Sequence, residues 1–283
     1  MKILYFLLVL PLIAFGWIDD NGLDSSIPIG EPPVGNDAIV LTYIGGFQVA
    51  SAGNVLGLNM QYNSSQFGMV DNIGDKILGI NCTSGAELWY YDINYTSGMG
   101  NFGTAHDWPV PYGWYLNSWT DTDMHYCDSG VWSVPFTNPA GTNGRGMSFE
   151  VSDDHLWQTD GSDGIYRIAS GGSFDYFSTP EVSGQMSGLA TFQHSGHTWV
   201  VVTCYLDQTF YFYDYTGFNL NFIGTADPGA TGISLSYGLT YSNFRDTFFW
   251  SYEMPGGICW VAELGYSITA LEQDTWGSIK TQF

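Results

Sequence analysis

The nearest approach to a metal-binding spacing in this chain is His194-Ser195-Gly196-His197, two imidazoles three residues apart. A catalytic zinc needs three protein ligands, and the third would have to come from His106, His125, His155 or one of many acids. The central Ser-Gly instead suits a hairpin turn, the preferred reading. Two acidic loops, Asp121-Thr122-Asp123 with Asp128 and Asp160-Gly161-Ser162-Asp163, offer the oxygens that a hard cation takes. Neither has the spaced acids and terminal Glu of a strong calcium loop, so turns that bond their own backbone are preferred. No metal site is assigned and no cofactor is expected beyond weak calcium.

Glycoside hydrolysis would need two facing carboxylates. The clearest repeated acids, Asp92 after Leu88-Trp89-Tyr90-Tyr91 and Asp214 after Phe210-Tyr211-Phe212-Tyr213, read as matching turn residues of a repeat. The chain has no Gly-x-Ser-x-Gly, and no cysteine lies in a nucleophile context. No catalytic residue is therefore assigned. The remaining chemistry is aromatic: Trp108, Tyr112, Trp114, Tyr115, Trp119 and Trp132, interrupted by Pro109 and Pro111. Core packing explains most of these rings. Trp108 and Tyr112, flanking the prolines in a loop, are the candidate ligand-binding pair. Asn63, Asn81 and Asn94 match the glycosylation pattern at a frequency that chance explains in an Asn- and Ser-rich chain.

The elements that would carry these residues are short strands. One unit runs Gly146-Met147-Ser148-Phe149, Leu156-Trp157-Gln158-Thr159-Asp160, Ile165-Tyr166-Arg167-Ile168 and Phe174-Asp175-Tyr176-Phe177. The next opens at Gly188-Leu189 and closes at Phe222-Ile223-Gly224-Thr225-Ala226. Four strands per unit indicate a propeller blade. Openings are placed at Gly68, Gly113, Gly146, Gly188 and Gly238, at spacings of 45, 33, 42 and 50, with Gly57-Leu58 as a competing first opening. The expected fold is an all-β propeller of five blades, with six as the alternative. Residues 50–67 would be an insertion, Asn101 to Ala105 a closing run, and the second blade short. The run Ile39 to Gly46 resembles a closing strand placed before the first opening, and is expected to pair with the blade of residues 238–271 and close the ring.

Composition limits the partners. Lys and Arg number 6 against 28 Asp and Glu, for a formal charge of -22, which disfavours nucleic acid and anionic membranes. With 36 Gly and 17% aromatic residues the chain has the turns and broad side chains of an all-β protein. Met1-Lys2, the apolar run Ile3 to Ile13 and Ala14-Phe15-Gly16 read as a signal peptide over residues 1–16. The run is too short for a membrane span. The expected location is secreted or periplasmic, with a polar arm at residues 17–37 and one propeller domain at residues 38–283. Cys82, Cys127, Cys204 and Cys259 allow three pairings; their apolar settings favour buried free thiols.

The phrase Gly-Leu/Met, Leu-Trp-x-x-Asp, Ile-Tyr-x-Ile and Phe-Ser-Thr-Pro resembles the blade repeat of secreted bacterial propellers of the NHL, YncE and SMP-30-like group, over roughly residues 39–271. That resemblance implies a blade fold shared by binding proteins and metal-dependent lactonases, without a matched metal set to transfer. The ending Thr275 to Phe283 is similar to a short ending of some secreted bacterial proteins, and is read as a strand packing Trp276 and Ile279 on the ring. The favoured function is a secreted, non-enzymatic module that binds an extracellular protein or glycan or acts at the cell envelope. The alternative is a metal-dependent hydrolase of the lactonase or glycan-processing type. On the favoured reading, chelation lowers the melting temperature only slightly, because a weak ion near its dissociation constant stabilises little; a large drop in calorimetry would reveal a structural metal.

Overall fold

The computed structural model describes residues 37–50, 52–61, 64–95, 100–107, 113–230 and 232–270. These residues form five four-stranded antiparallel sheets. Blade 1 comprises β2 (Val55–Met60), β3 (Gln66–Asp71), β4 (Lys76–Asn81) and β5 (Glu87–Asp92). Blade 2 comprises β6 (Asn101–His106), β7 (Gly113–Ser118), β8 (Asp123–Asp128) and β9 (Val131–Thr137). Blade 3 has β10 (Met147–Glu150), β11 (His155–Thr159), β12 (Gly164–Ala169) and β13 (Phe174–Ser178). Blade 4 has β14 (Met186–His194), β15 (His197–Cys204), β16 (Phe210–Tyr215) and β17 (Leu220–Ala226). Blade 5 joins β18 (Leu235–Ser242), β19 (Thr247–Met254) and β20 (Ile258–Ala270) to β1 (Asp37–Gln48). Each blade's first strand, or for blade 5 β18, packs on the next in the cycle β2, β6, β10, β14, β18 and back to β2. The fold is a five-bladed β-propeller.

The ring closes as the sequence indicates. β1 pairs antiparallel with β20 from Asp37 opposite Ala270 to Gln48 opposite Trp260, with a bulge between Tyr43 and Gly45. A strand from before blade 1 thus completes the last blade and covers an edge whose backbone would otherwise be unpaired.

Blades are bonded through apolar faces, and each interface carries its own cluster. In Trp199-Val200-Val201-Val202, Trp199 and Val201 enter the cluster shared with blade 5, while Val200 and Val202 enter the one shared with blade 3. Phe248 and Phe249 divide likewise between blade 4 and blade 1. Both faces of a middle strand are buried, so the period-two alternation of side chains appears in sequence as an unbroken apolar run.

The expected boundaries of blades 1 and 2 need correction. Blade 1 opens at Gly57 in β2, and Gly68 lies in its second strand, β3. Residues 50–67 are therefore not an insertion. Asn101 to Ala105 belong to the innermost strand of blade 2, whereas Gly113 starts the second strand, so blade 2 is complete. The physical reason is that two kinds of glycine occur in these strands. A Cβ on Gly57, Gly103, Gly146, Gly188 or Gly238 would come closer than 3.0 Å to backbone of the next blade's innermost segment. Gly68 and Gly113 instead make room for the rings of Trp114 and Tyr126. Asp92 and Asp214 also differ in position, ending the fourth strand of blade 1 and lying in the third strand of blade 4 respectively.

The leader of residues 1–36 and the ending from residue 271 onward lie outside the described residues, which include Asp37 as the start of β1. All four cysteines are buried free thiols. Replacing Gly103 by Ala inserts a methyl against the Arg145 carbonyl, a backbone atom that cannot rotate away. Overpacking of this kind costs about 1–3 kcal/mol, so Gly103→Ala is expected to lower the denaturant midpoint clearly while Gly141→Ala, whose Cβ meets nothing within 4 Å, costs only its positive-φ strain.

Candidate functional site

The innermost strands converge on the axis of the ring, and its two ends differ. At the end where these strands begin, Leu56, Phe102 and Tyr237 form an apolar plug, packed by Trp119, Tyr205 and Leu235. The Arg145 guanidinium lies over the Phe102 and Trp119 rings at 5.5 and 5.6 Å from their centroids.

At the end where the strands finish, all five blades contribute to a polar mouth. Asn59, His106, Ser148, Thr191 and Thr240 surround a cavity of about 30 Å³, roughly the volume occupied by one water. Their hydrogen bonds cross blade boundaries. Asn59 Oδ1 accepts from the His106 N–H at 2.8 Å, Thr240 Oγ1 from the Met60 N–H at 2.7 Å, and Ser148 Oγ from the Thr191 N–H at 3.1 Å. Short polar side chains thus replace part of the pairing that an innermost strand, with no neighbour on its axial side, cannot obtain from a sheet.

His106 is the ionisable group of this mouth. It is 3% exposed, meets the edge of Trp114 at 4.6 Å between centroids, and has no hydrogen-bond partner at Nδ1 among the described residues. Burial lowers its pKa to about 4, so the imidazole is neutral near pH 7.

Two larger recesses flank the mouth, and Phe149 borders all three spaces. Between blades 3 and 4 a groove of about 400 Å³ includes Glu150, Ser152, Gln193 and Thr198. Glu150 is already committed, accepting from Trp157 Nε1 at 2.8 Å, from Arg167 Nε at 3.2 Å and from the Thr198 hydroxyl. Between blades 2 and 3 a pocket of about 330 Å³ is bordered by Tyr115, Tyr126, Phe136 and Phe149 together with Asp107 and Asp154. The three spaces lie side by side at this end of the ring and share Phe149.

The residues singled out from sequence are dispersed. His194 and His197 flank a two-residue turn, with Ser195 at φ 50° and Gly196 at φ 84°, and His197 Nδ1 lies 3.0 Å from the Asp214 carboxylate. His125 pairs with Asp121 at 2.8 Å beneath the stacked ring of Tyr95. His155 lies against Asp153. Asp160 Oδ1 accepts from the backbone of Ser162, Asp163 and Gly164, the turn expected of it. Among the described residues no three His, Cys, Asp or Glu side chains gather as a metal-holding group. Burial pushes the Cys127 and Cys204 thiols up to about 11 and about 12, which opposes the thiolate.

Trp108 and Tyr112, the expected ligand-binding pair, lie outside the described residues. Their loop departs from Asp107 and returns at Gly113, joined by an Asp107 N–H to Gly113 carbonyl bond of 2.9 Å. Asp107 borders the blade 2/3 pocket. Trp114 and Tyr115 pack between blades, as core rings.

The mouth residues were not singled out from sequence, yet a signal for them exists. Asn59, Ser148 and Thr240 each stand two residues after an innermost glycine; His106 and Thr191 stand three after theirs. A polar residue two or three places after that glycine marks the axial end.

With this geometry, similarity to known proteins can be placed. No known protein family matches the sequence, and no curated protein matches it. The glutaminyl cyclase of Myxococcus xanthus has a similar structure, with a TM-score of 0.60 at 11% identity over 81% of this chain and 97% of that one. A calcium-binding regucalcin of Agrobacterium tumefaciens gives 0.48 at 11% identity, covering 79% and 95%. A chain from a nidogen/laminin complex gives 0.49 at 13%, covering 77% and 86%. At these identities the likeness to the cyclase shows the fold alone, and the two weaker matches carry no argument.

The low pKa of His106 has a consequence for stability. Below pH 6.5, the group's ordinary value, the unfolded chain takes up a proton that the folded chain resists until about pH 4. Stability is therefore lost as pH falls through that window, by roughly 3 kcal/mol from this group. His106→Gln is expected to flatten the pH 7 to pH 4 decline relative to the parent in urea unfolding; parallel declines would show that the imidazole titrates normally.

Proposed function

We propose that this protein is a secreted, non-enzymatic binding module whose ligand, an extracellular protein or a glycan of the cell envelope, is held at the mouth where the innermost strands end and in the recesses beside it. The chemistry of the mouth carries this reading. Its groups are amides, hydroxyls and one neutral imidazole, and three of them already accept backbone hydrogen bonds from neighbouring blades. Such groups fix a ligand's orientation without supplying a nucleophile or a strong base. The flanking recesses add aromatic surface, and loops on a rigid ring are the common location of recognition. The signal-like sequence of residues 1–16 supports the extracellular assignment.

A hydrolase of the lactonase or glycan-processing type would need convergent carboxylates or imidazoles around a cation. A metal analysis of the purified protein combined with a broad hydrolase screen separates the two readings: stoichiometric metal with turnover would overturn the binding module. Binding itself is read on a glycan array and on solubilised envelope fragments. Trp108→Ala and Tyr112→Ala are each expected to weaken the measured affinity by roughly 1–2 kcal/mol while leaving the melting temperature nearly unchanged. Strong destabilisation by both changes would place these rings in the core and remove them from the site.

A further inference from the structure

The outer rim of blade 3 presents a backbone edge with nothing paired to it. The Ala169 N–H donates to the Ser173 carbonyl and the Thr179 N–H to the Asp163 carbonyl, each at 2.8 Å. Between these bonds the β12–β13 register sets Arg167 opposite Asp175 and Ile165 opposite Phe177. Hydrogen-bonded pairs alternate with unbonded ones in an antiparallel ladder. Phe174, Tyr176 and Ser178 therefore turn their N–H and C=O groups away from β12, and β13 is the last strand of its sheet. Among the described residues no hydrogen bond reaches these outward groups.

Such an edge is a template for pairing with another chain, and bulges, prolines and lysines usually blunt it. The other outermost strands carry these devices. β5, β9, β17 and β1 each meet their neighbour with a register shift. β9 also holds Pro135, and β17 packs on β1 of the next blade. β13, which reads Phe174-Asp175-Tyr176-Phe177-Ser178, has no register shift, proline or lysine. Its Phe174 and Tyr176 rings are 52% and 45% exposed.

A groove of about 500 Å³ lies beside this edge, between β13 and the segment Gly217 to Asn221 of blade 4. Phe177 packs on Trp157 and Tyr215 on the blade 4 side, and Asp175, two residues away, shares that face. Phe218, 88% exposed, borders the same groove. A strand added along β13 would send alternate side chains into it. Asp175 is exposed and is the one charged side chain bordering the groove. Its cross-strand neighbour Arg167 is buried and bonded to Glu150 and Asp153. An incoming strand therefore pairs best with a basic residue facing Asp175. A second copy of this chain is a poor occupant, because it brings the same formal charge of -22.

We propose that the free edge of β13 docks an extended segment of a partner protein by β-strand addition, with a basic residue of that segment set against Asp175. Backbone bonds to Phe174, Tyr176 and Ser178 supply the pairing, and the groove selects among the alternate side chains. This surface shares no residue with the mouth or the spaces flanking it, so it is independent of ligand binding there.

The probe is acetyl-Thr-Lys-Thr-Val-Thr-Lys-Thr-amide, which carries Lys and Val on one face when extended. It is titrated into the full chain at physiological ionic strength, where distant charges are screened. Without peptide, amide exchange read by NMR is expected to be faster at Phe174, Tyr176 and Ser178 than at Asp175 and Phe177; peptide should then slow the first three. The same peptide with Glu in place of Lys is expected to bind roughly five- to ten-fold more weakly. Asp175→Asn should bring the two peptides within about two-fold of each other. A fully N-methylated peptide, which has no amide donors, should give no protection, and this arm tests the pairing without altering the protein. Protection of the three amides before peptide is added, or none after it, overturns the proposal. So do equal binding by the N-methylated peptide, a preference for Lys over Glu that is absent or unchanged in Asp175→Asn, and protection that comes from concentration-dependent pairing of two copies of the chain.

Discussion

The ring depends on backbone meeting backbone around its axis. Five innermost strands must approach closely enough for five blades to close, and at each crossing the approaching segment occupies the place of a Cβ. Gly57 faces Phe102, Gly103 faces Arg145, Gly146 faces Gly188, Gly188 faces Leu239 and Gly238 faces Leu56, so the series returns to its start. Each glycine costs roughly 0.5–1 kcal/mol of strand stability relative to Ala. The apolar clusters at the five interfaces, with rings as large as Trp157 and Trp250 wholly buried, offset that cost. Closure by β1 then makes the interfaces mutually dependent, because no blade ends the series.

The same crowding sets the chemistry of the axis. Innermost strands have one backbone edge facing the centre, where there is no further strand to pair with it. At one end rings and Arg145 fill the space. At the other, Asn59, Ser148 and Thr240 bring side-chain oxygens to backbone N–H groups of neighbouring blades. The polar mouth is therefore first a structural solution, and its availability to a ligand follows from the small space left inside it. The larger open space lies in the recess beside it, where Phe149, Tyr126 and Phe136 stay partly exposed.

Charge follows a related logic. The described basic side chains each meet a ring or a carboxylate, Lys76 on Tyr90, Arg145 on Phe102, Arg167 on Glu150 and Arg245 on Glu263, and of these the Arg167–Glu150 pair is deeply buried. Removing Glu150 would leave the buried Arg167 charge poorly solvated, which is far more costly than the pair is stabilising. The formal charge of -22 is carried by the 28 acids against 6 bases.

Sequence alone determined the repeating unit, the all-β class and the return of an early strand to the last blade, because these rest on local alternation and on the likeness of one run to another. The Trp199 to Val202 run and the Ile39 to Gly46 segment are legible without coordinates. It also placed His194-Ser195-Gly196-His197 and Asp160 in turns, since left-handed Gly and Asp capping act within a few residues. Which glycine opens a blade was decided only by tertiary structure: Gly57 and Gly68 each precede an apolar residue in sequence, and differ in whether backbone or an aromatic ring lies against them. The candidate site was still less legible. Asn59, His106, Ser148, Thr191 and Thr240 are ordinary single residues spread over the whole chain, and only the closing of the ring brings them to one point. Asp107 and Asp154 likewise border one recess, a geometry that no local spacing encodes.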